Sequence, residues 1–236
     1  PVTAIDQRQE ALDRARQRIE SSLRRRAEQG KTTPEQVESI LAGLHCSQHW
    51  EDLGGADLVI ESVFEDADTK KGVLDNIENS CRASAILATN TSTLTLDVLS
   101  ANLQRPERLV GMHFFNPAQR MPLLEIVRRD ETPPEVLAGV LAVAKRLRKT
   151  PVVAHSREGF IVVRIFVPYV QEAFRLLEEG AEPAAIDQAM VDFGFPMGPL
   201  VLIDMTGLDI LVETHRVLQR AFPWHGPASP VAEELV

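Results

Sequence analysis

The feature that most constrains this chain is a regular alternation of short apolar runs with amphipathic helical segments. The run Asp57–Val63 is almost continuously apolar and is bounded by glycines and acids, which is typical of a strand covered on both faces. After Asp6, apolar residues recur at helical spacing to about Gln29. Strands and helices that alternate in this way predict an α/β fold with an open, mostly parallel sheet.

The alternation continues to about residue 156. Further strands are predicted at 1–6, Leu44–Ser47, Ala85–Thr89, Leu109–Phe115, Leu123–Val127 and Pro151–Ala154, and further helices at Pro34–Ala42, Thr69–Asn79, Leu96–Leu103 and Pro134–Arg148. The turn with Pro117 and Pro122 separates two strands so closely that we expect them to be antiparallel neighbours.

Beyond Gly159 every periodic segment is helical. The predicted helices are Phe160–Glu179, Pro183–Phe193 and Pro199–Arg220, followed by a loop-like stretch at Phe222–Pro230. We therefore predict two domains, a sheet domain at residues 1–156 and an all-helical domain at residues 157–236.

Composition excludes several classes of protein. A net charge of −9 disfavours nucleic acid as a partner. The most apolar stretch, Gly159–Val170, is interrupted by Arg164 and Pro168, so no membrane span is predicted. Cys46 and Cys81 show no metal-ligand spacing, so we expect no metal site and a reducing compartment, either the cytoplasm or an organelle matrix.

Asp6 closes the first predicted strand just before a helix. Sheets that bind dinucleotides place there a carboxylate that accepts hydrogen bonds from the adenosine ribose. An acid in this position is also common as a turn or helix-capping residue. The glycine-rich turn that would hold the pyrophosphate is expected about 20 residues upstream, and we expect the chain to be a fragment that starts after it.

His113 ends one predicted strand, and Glu125 lies in the next. A tight return between the strands can bring the two side chains together. A neutral imidazole can accept an alcohol proton while hydride leaves the same carbon, and a carboxylate on the other ring nitrogen fixes the tautomer. The alternatives are a core histidine bound to the backbone and a surface glutamate.

Polar side chains follow other predicted strands as well. Ser92, Glu61 and Glu65, together with His113, lie where parallel strands present residues to a ligand at their carboxyl ends. These positions predict a ligand crevice. The segment around Ser92 would serve equally as a helix cap, and the acids from Glu65 onward as a helix start.

Six segments together resemble the NAD-dependent (S)-3-hydroxyacyl-CoA dehydrogenase family. The two specific motifs are His113–Pro117 (His-Phe-Phe-Asn-Pro) and Pro196–Pro199 (Pro-Met-Gly-Pro), which lie within the matching stretches Gly111–Pro117 and Phe195–Asp209. Supporting matches are 57–62, 88–93, 124–127 and 159–162, in family order. Arg120 and the following Met-Pro are most similar to the dehydrogenase portion of multifunctional fatty-acid oxidation proteins.

The resemblance implies a Rossmann-like sheet that lacks its first strand and glycine-rich turn here, followed by a helical domain that closes the acyl-CoA cleft and pairs subunits. It implies His113 as catalytic base and Glu125 as its orienting partner, with Ser92 and Asn116 near the reacting oxygen. The implied cofactor is NAD, and the implied nucleotide contacts are Asp6, Ser62, Glu65, Lys70, Ser92 and Asn116. An acid at position 6 would repel the 2′-phosphate of NADP, and only the adjacent Arg8 argues against this preference.

Two residues depart from the family pattern. Val163 stands where the family has an active-site asparagine, and Glu158 stands where it has proline. Losing one positioned donor costs about 2.7–4 kcal/mol in a transition state when it acts like an oxyanion contact. We therefore expect weakened rather than abolished activity.

The implied reaction is the interconversion of 3-hydroxyacyl-CoA and 3-ketoacyl-CoA in fatty-acid β-oxidation, by a homodimer or by part of a multifunctional protein. Two alternatives stay open at this point. One is a dehydrogenase of free 3-hydroxy or sugar acids, and the other is a catalytically impaired structural homologue.

Overall fold

The computed structural model describes residues 1–236, apart from the side chain of His225. The strands are β1 (Val2–Ile5), β2 (Leu44–Ser47), β3 (Leu58–Glu61), β4 (Ile86–Thr89), β5 (Leu109–Phe114), β6 (Leu123–Arg128) and β7 (Thr150–His155). The helices are α1 (Gln9–Glu28), α2 (Pro34–Ala42), α3 (Ala67–Ser80), α4 (Leu96–Leu99), α5 (Pro134–Arg146), α6 (Val162–Glu178), α7 (Pro183–Phe193), α8 (Pro199–Thr206), α9 (Leu208–Ala221) and α10 (Pro230–Glu234).

The chain divides into two compact units, one formed by residues 1–59 and 72–87 and the other by residues 60–71 and 88–236. In the first unit β1 and β2 pair in parallel, with Val2 opposite Leu44. Helix α2 begins at a capping box in which Thr33 and Gln36 each bind the other's backbone N–H. This box fixes the start of the helix that leads into β2.

Strands β3 to β7 form a five-stranded sheet in chain order. As the turn prolines predict, β5 and β6 are antiparallel, and β7 then pairs with β6 in parallel. The inner strands are almost entirely buried, since Leu109, Val110, Met112 and Ile126 are all 0% exposed. This packing places β5 and β6 side by side in the core.

The helical part has its own apolar core. Helix α6 contributes Val167, Val170 and Phe174, and α9 contributes Leu211, Val212 and Leu218. Among the described residues, the helices lack the length or the apolar character that crossing a bilayer requires.

The predicted fold class, a Rossmann-like mostly parallel sheet followed by helices, is confirmed. The predicted boundary between residues 156 and 157 lies inside the second unit and stays a prediction.

Four local predictions were wrong. The helix expected at Leu96–Leu103 ends at Leu99, where Ser100 is its C-cap. The helix expected at 199–220 is split into α8 and α9 at Gly207, whose φ of +103° is incompatible with a helix. The loop-like tail contains a short helical turn at 223–225 and leads into α10. Strand β3 is not covered on both faces, because Ile60 is 39% exposed.

Candidate active site

Strands β5 and β6 place His113 directly opposite Glu125. The Nδ1 atom of His113 lies 2.7 Å from the Oε2 atom of Glu125. The Glu125 side chain is completely buried, whereas the His113 side chain keeps 10% of its surface exposed. The predicted pair therefore forms, with the carboxylate fully buried and the imidazole almost fully buried.

The second oxygen of Glu125 lies at the start of α6. Its Oε1 atom accepts hydrogen bonds from the backbone N–H groups of Ile161 (3.0 Å) and Val162 (2.9 Å). A helix N-terminus carries partial positive charge, so this arrangement stabilises a negative charge on the carboxylate. Sequence reasoning missed these two donors, because backbone groups have no side-chain signature.

The turn before α6 has an unusual backbone. Gly159 has a φ of +69° and Phe160, which is not a glycine, has a φ of +45°. Helix α6 therefore begins at Val162 rather than at the predicted Phe160. Phe160 is 2% exposed, and its ring meets that of His113 edge-on at 6.0 Å. The strained residue thus packs against the imidazole and also delivers the two N–H groups to Glu125.

Glu65 and Ser92 meet, as the strand-end argument predicts. Thr91 Oγ1, Ser92 Oγ and Thr93 Oγ1 all lie within hydrogen-bond distance of Glu65 Oε1, at 2.5, 3.2 and 3.1 Å. The backbone N–H groups of Ser92 and Thr93 add two donors at 2.9 and 3.0 Å. One carboxylate therefore organises the whole loop that follows β4.

The surroundings of Glu65 change its acidity. Burial opposes the charged form, but the Thr91 hydroxyl, the N–H groups of Ser92 and Thr93 and the Lys70 ammonium outweigh it and lower the pKa of Glu65 below its usual value. Glu65 is therefore a carboxylate at neutral pH, and its side chain keeps 34% of its surface exposed.

Lys70 is fully buried rather than exposed to a ligand. Its ammonium lies 3.0 Å from Glu61 Oε1 and 3.5 Å from Glu65 Oε2. Sequence reasoning placed Glu61 at the crevice edge and Lys70 at the nucleotide, and it missed that the two form a buried ion pair.

Asn90 connects the ends of three neighbouring strands. Its Nδ2 atom donates to Ser62 Oγ at 3.2 Å, and its Oδ1 atom accepts the Phe114 N–H at 2.9 Å. Since Phe114 follows His113 and Asn90 precedes Ser92 by two residues, this amide fixes the Ser92 loop beside the end of β5. Asn90 was another residue that the sequence analysis did not single out.

The other predicted site residues are closer to solvent. Asn116 is exposed in the loop after β5. Asp6 follows β1, with its side chain 40% exposed, and its Oδ1 atom accepts the Arg8 N–H at 2.8 Å. The turn role and the ligand role of Asp6 remain compatible, because the carboxylate keeps exposed surface.

Val163 is half-buried and packs against the apolar cluster of the helical part. Its Cγ1 atom lies 3.3 Å from the position that a Cβ on Gly159 would take, and Leu218 Cδ2 lies 2.8 Å from the same point. The residue that departs from the family pattern therefore contributes to the packing behind the turn that precedes α6.

Models of two protein domains match the chain almost end to end. The NAD binding domain of 3-hydroxyacyl-CoA dehydrogenase matches residues 1–157, and the C-terminal domain of 3-hydroxyacyl-CoA dehydrogenase matches residues 159–236.

Curated relatives are longer than this chain. The fatty acid oxidation complex subunit alpha of Psychrobacter sp. (strain PRwf-1) is 40% identical over 223 residues, which are 94% of this chain and 31% of the relative. The subunit of the same name from Pseudomonas aeruginosa (strain UCBPP-PA14) is 36% identical over 223 residues, again 94% of this chain and 31% of the relative. The chain thus spans about a third of the length of these relatives.

Solved structures match the fold closely. The 3-hydroxybutyryl-CoA dehydrogenase of Escherichia coli K12 superposes with a TM-score of 0.94 at 39% identity, over 99% of this chain and 50% of that chain. The (S)-3-hydroxybutyryl-CoA dehydrogenase PaaH1 of Ralstonia eutropha gives a TM-score of 0.94 at 36% identity, over 99% of this chain and 83% of that chain.

Proposed function

Because this chain belongs to the 3-hydroxyacyl-CoA dehydrogenase family, we propose that it interconverts (S)-3-hydroxyacyl-CoA and 3-ketoacyl-CoA in fatty-acid β-oxidation. The observation that carries the proposal is the arrangement of His113, Glu125 and the start of α6. It provides a base, an orienting carboxylate and two backbone N–H donors that hold that carboxylate in place.

His113 acts as the base in the oxidation direction. With Nδ1 held by Glu125, the proton on that nitrogen is fixed, and Nε2 presents its lone pair to the 3-hydroxyl group. The imidazolium that forms is stabilised by the buried Glu125 carboxylate. In the reduction direction the same imidazolium returns the proton to the oxygen at C3.

NAD is the cofactor, and it supplies the acceptor for the hydride that leaves C3. The residues of this chain fit a nucleotide, since Asp6 presents a half-exposed carboxylate after a parallel strand, where ribose hydroxyls are bound. Glu65, Ser62 and Lys70 are proposed as further nucleotide-side residues, with Lys70 acting from within the protein because it has no exposed surface.

Ser92 and Asn116 are proposed to hydrogen-bond the reacting oxygen or to hold the substrate near the nicotinamide. Support for Ser92 comes from its loop, which Glu65 organises and Asn90 fixes beside Phe114. Support for Asn116 is its exposed position three residues after His113.

The proposed substrate is an acyl-CoA thioester, and the proposed assembly is a homodimer or a larger β-oxidation protein. The relatives named as alpha subunits of a fatty acid oxidation complex support the second form. We propose a cytoplasmic location, in line with free Cys46 and Cys81.

The decisive experiment measures NADH oxidation by the full-length protein with acetoacetyl-CoA and with free acetoacetate. We expect acetoacetyl-CoA to react faster, and a preference for the free acid would support the alternative dehydrogenase. His113→Gln should lower kcat by about 10²–10⁴-fold. The matched control is His155→Gln, because that side chain is 59% exposed and lies on β7.

Calorimetric titration with NADH tests the remaining alternative. A protein that binds NADH but turns over neither substrate would be a catalytically impaired homologue. A protein that does not bind NADH would have a structural role only.

A further inference from the structure

Two buried charged residues have no direct part in the proposed proton transfer. Glu61 ends β3 and Lys70 lies in α3, and both side chains are 0% exposed. Burying a charge is unfavourable unless it is paired and hydrogen-bonded, so the role of this buried pair needs an explanation.

The pair holds one residue of the connecting loop from both sides. The Val63 N–H donates to Glu61 Oε1 at 2.6 Å, and the Val63 carbonyl accepts from Lys70 Nζ at 3.2 Å. Both peptide groups next to this residue are therefore fixed by buried charges. Glu65 follows Val63 by two residues, so the main chain that carries Glu65 is anchored at this point.

Two sets of contacts connect Glu61 and Lys70 to the loop that contains Ser92. Thr89 Oγ1, at the end of β4, donates to Glu61 Oε2 at 2.6 Å. Lys70 lies 3.5 Å from Glu65 Oε2, while Glu65 Oε1 receives the donors of Thr91, Ser92 and Thr93. The buried pair thus fixes both the start of the loop and the carboxylate around which the loop folds.

We infer that Glu61 and Lys70 are positioning residues that set the Ser92 loop for the reaction, acting through Glu65. The inference rests on the proposed function for its kinetic consequence. Lys70 shares its ammonium between two carboxylates and one carbonyl and has no exposed surface, so its direct contacts are with Glu61, Val63 and Glu65.

A double-mutant cycle separates positioning through Glu65 from general support of the fold. In the full-length protein, Lys70→Met should lower kcat by about tenfold when Glu65 is present. In the Glu65→Gln background the same change should lower kcat less than about twofold, because the carboxylate that Lys70 positions is already neutral. Equal losses in both backgrounds would overturn the inference.

Lys71→Met is the matched control. It removes the same charge from the next residue of α3. Lys71 forms its ion pair with the exposed Asp68 rather than with Glu61 or Glu65. If Lys70→Met does not fold, Glu61→Gln replaces it in the cycle, since the amide keeps an acceptor for the Val63 N–H.

Hydrogen–deuterium exchange supplies a readout that does not depend on turnover. Lys70→Met, or Glu61→Gln in its place, should speed exchange of the Ser92 and Thr93 amides and leave the amides of α5 unchanged. Unchanged exchange in that loop would overturn the inference even in an active enzyme. Faster exchange in a protein without dehydrogenase activity would support the positioning role and reject the proposed function alone.

Discussion

Gly111 on β5 lies so close to Val127 on β6 that a Cβ atom at position 111 would be 2.7 Å from the Val127 Cβ atom. Real Cβ atoms do not approach this closely, so one strand would have to move. The contact lies two register positions from the pairing of His113 with Glu125. The glycine of the Gly-Met-His-Phe-Phe motif therefore permits the strand spacing that the proposed catalytic pair needs.

We expect Gly111→Ala to lower both the free energy of unfolding, by about 1–3 kcal/mol, and kcat. Urea denaturation and steady-state kinetics measure the two effects. Gly72→Ala is the control, since a Cβ there meets nothing within 4 Å inside α3, and it should raise stability by about 0.5–1 kcal/mol. Native kcat in Gly111→Ala would show that the strand spacing is not critical.

Replacing Glu125 by glutamine should impair catalysis more than folding. The amide can still accept the N–H groups of Ile161 and Val162 through its oxygen, but its NH₂ group then faces His113 Nδ1 and favours the wrong tautomer. We expect kcat to fall by about 10²–10⁴-fold.

Circular dichroism melting should show a smaller effect than the kinetics. Glu172→Gln, at a side chain that is 64% exposed, serves as the control and should retain native kcat. A Glu125→Gln enzyme with native turnover would remove Glu125 from the mechanism.

The contact between His113 and Glu125 was predictable because its signal is local. His113 and Glu125 are twelve residues apart across a short proline-containing turn, and antiparallel pairing then brings them together. The meeting of Glu65 with Ser92 was predictable from the rule that parallel strands share one carboxyl edge.

What could not be predicted depends on tertiary contacts between distant or backbone groups. The N–H groups of Ile161 and Val162 lie 36 and 37 residues from Glu125 along the chain. Lys70 reads as an ordinary helix lysine until its burial against Glu61 is seen. Gly207 reads as a tolerated glycine within a helix, and only its φ shows that it ends one.

Replacing Arg148 by glycine should stabilise the folded protein. Arg148 follows α5 with a φ of +56°, a conformation that glycine adopts freely and arginine does not. We expect Arg148→Gly to raise the free energy of unfolding by about 1 kcal/mol. Ala142→Gly, at an exposed position inside α5, should lower it by a similar amount, about 1 kcal/mol, because helix interiors disfavour glycine. If urea denaturation showed that both variants change the free energy of unfolding in the same direction, this explanation would be contradicted.

Glu65 should contribute to the loss of stability in acid. Burial alone would raise its pKa, but the Thr91 hydroxyl and the loop N–H groups lower it, so the folded pKa lies below the unfolded one. The stabilisation is therefore complete above about pH 4.5 and is lost as the pH falls through the folded pKa. We expect Glu65→Gln to flatten the decrease in melting temperature between about pH 5 and pH 3.

Thr91→Val provides an intermediate case. It removes the shortest donor to Glu65, at 2.5 Å, and should move the loss of stability to higher pH. An unchanged acid profile in Glu65→Gln would show that this carboxylate does not couple folding to protons.

Replacing Val163 by asparagine, the residue of the family pattern at this position, should lower the free energy of unfolding and raise kcat. Val163 packs against the apolar cluster that includes Val167 and Leu218, so a polar amide there should lower the free energy of unfolding by about 1–3 kcal/mol. If the missing side chain normally stabilises the transition state, kcat should rise by up to about 100-fold. Val163→Thr is the control, because it adds polarity without the amide and should lose stability with no gain in kcat. A folded Val163→Asn enzyme with unchanged turnover would show that this departure from the family pattern does not limit the reaction.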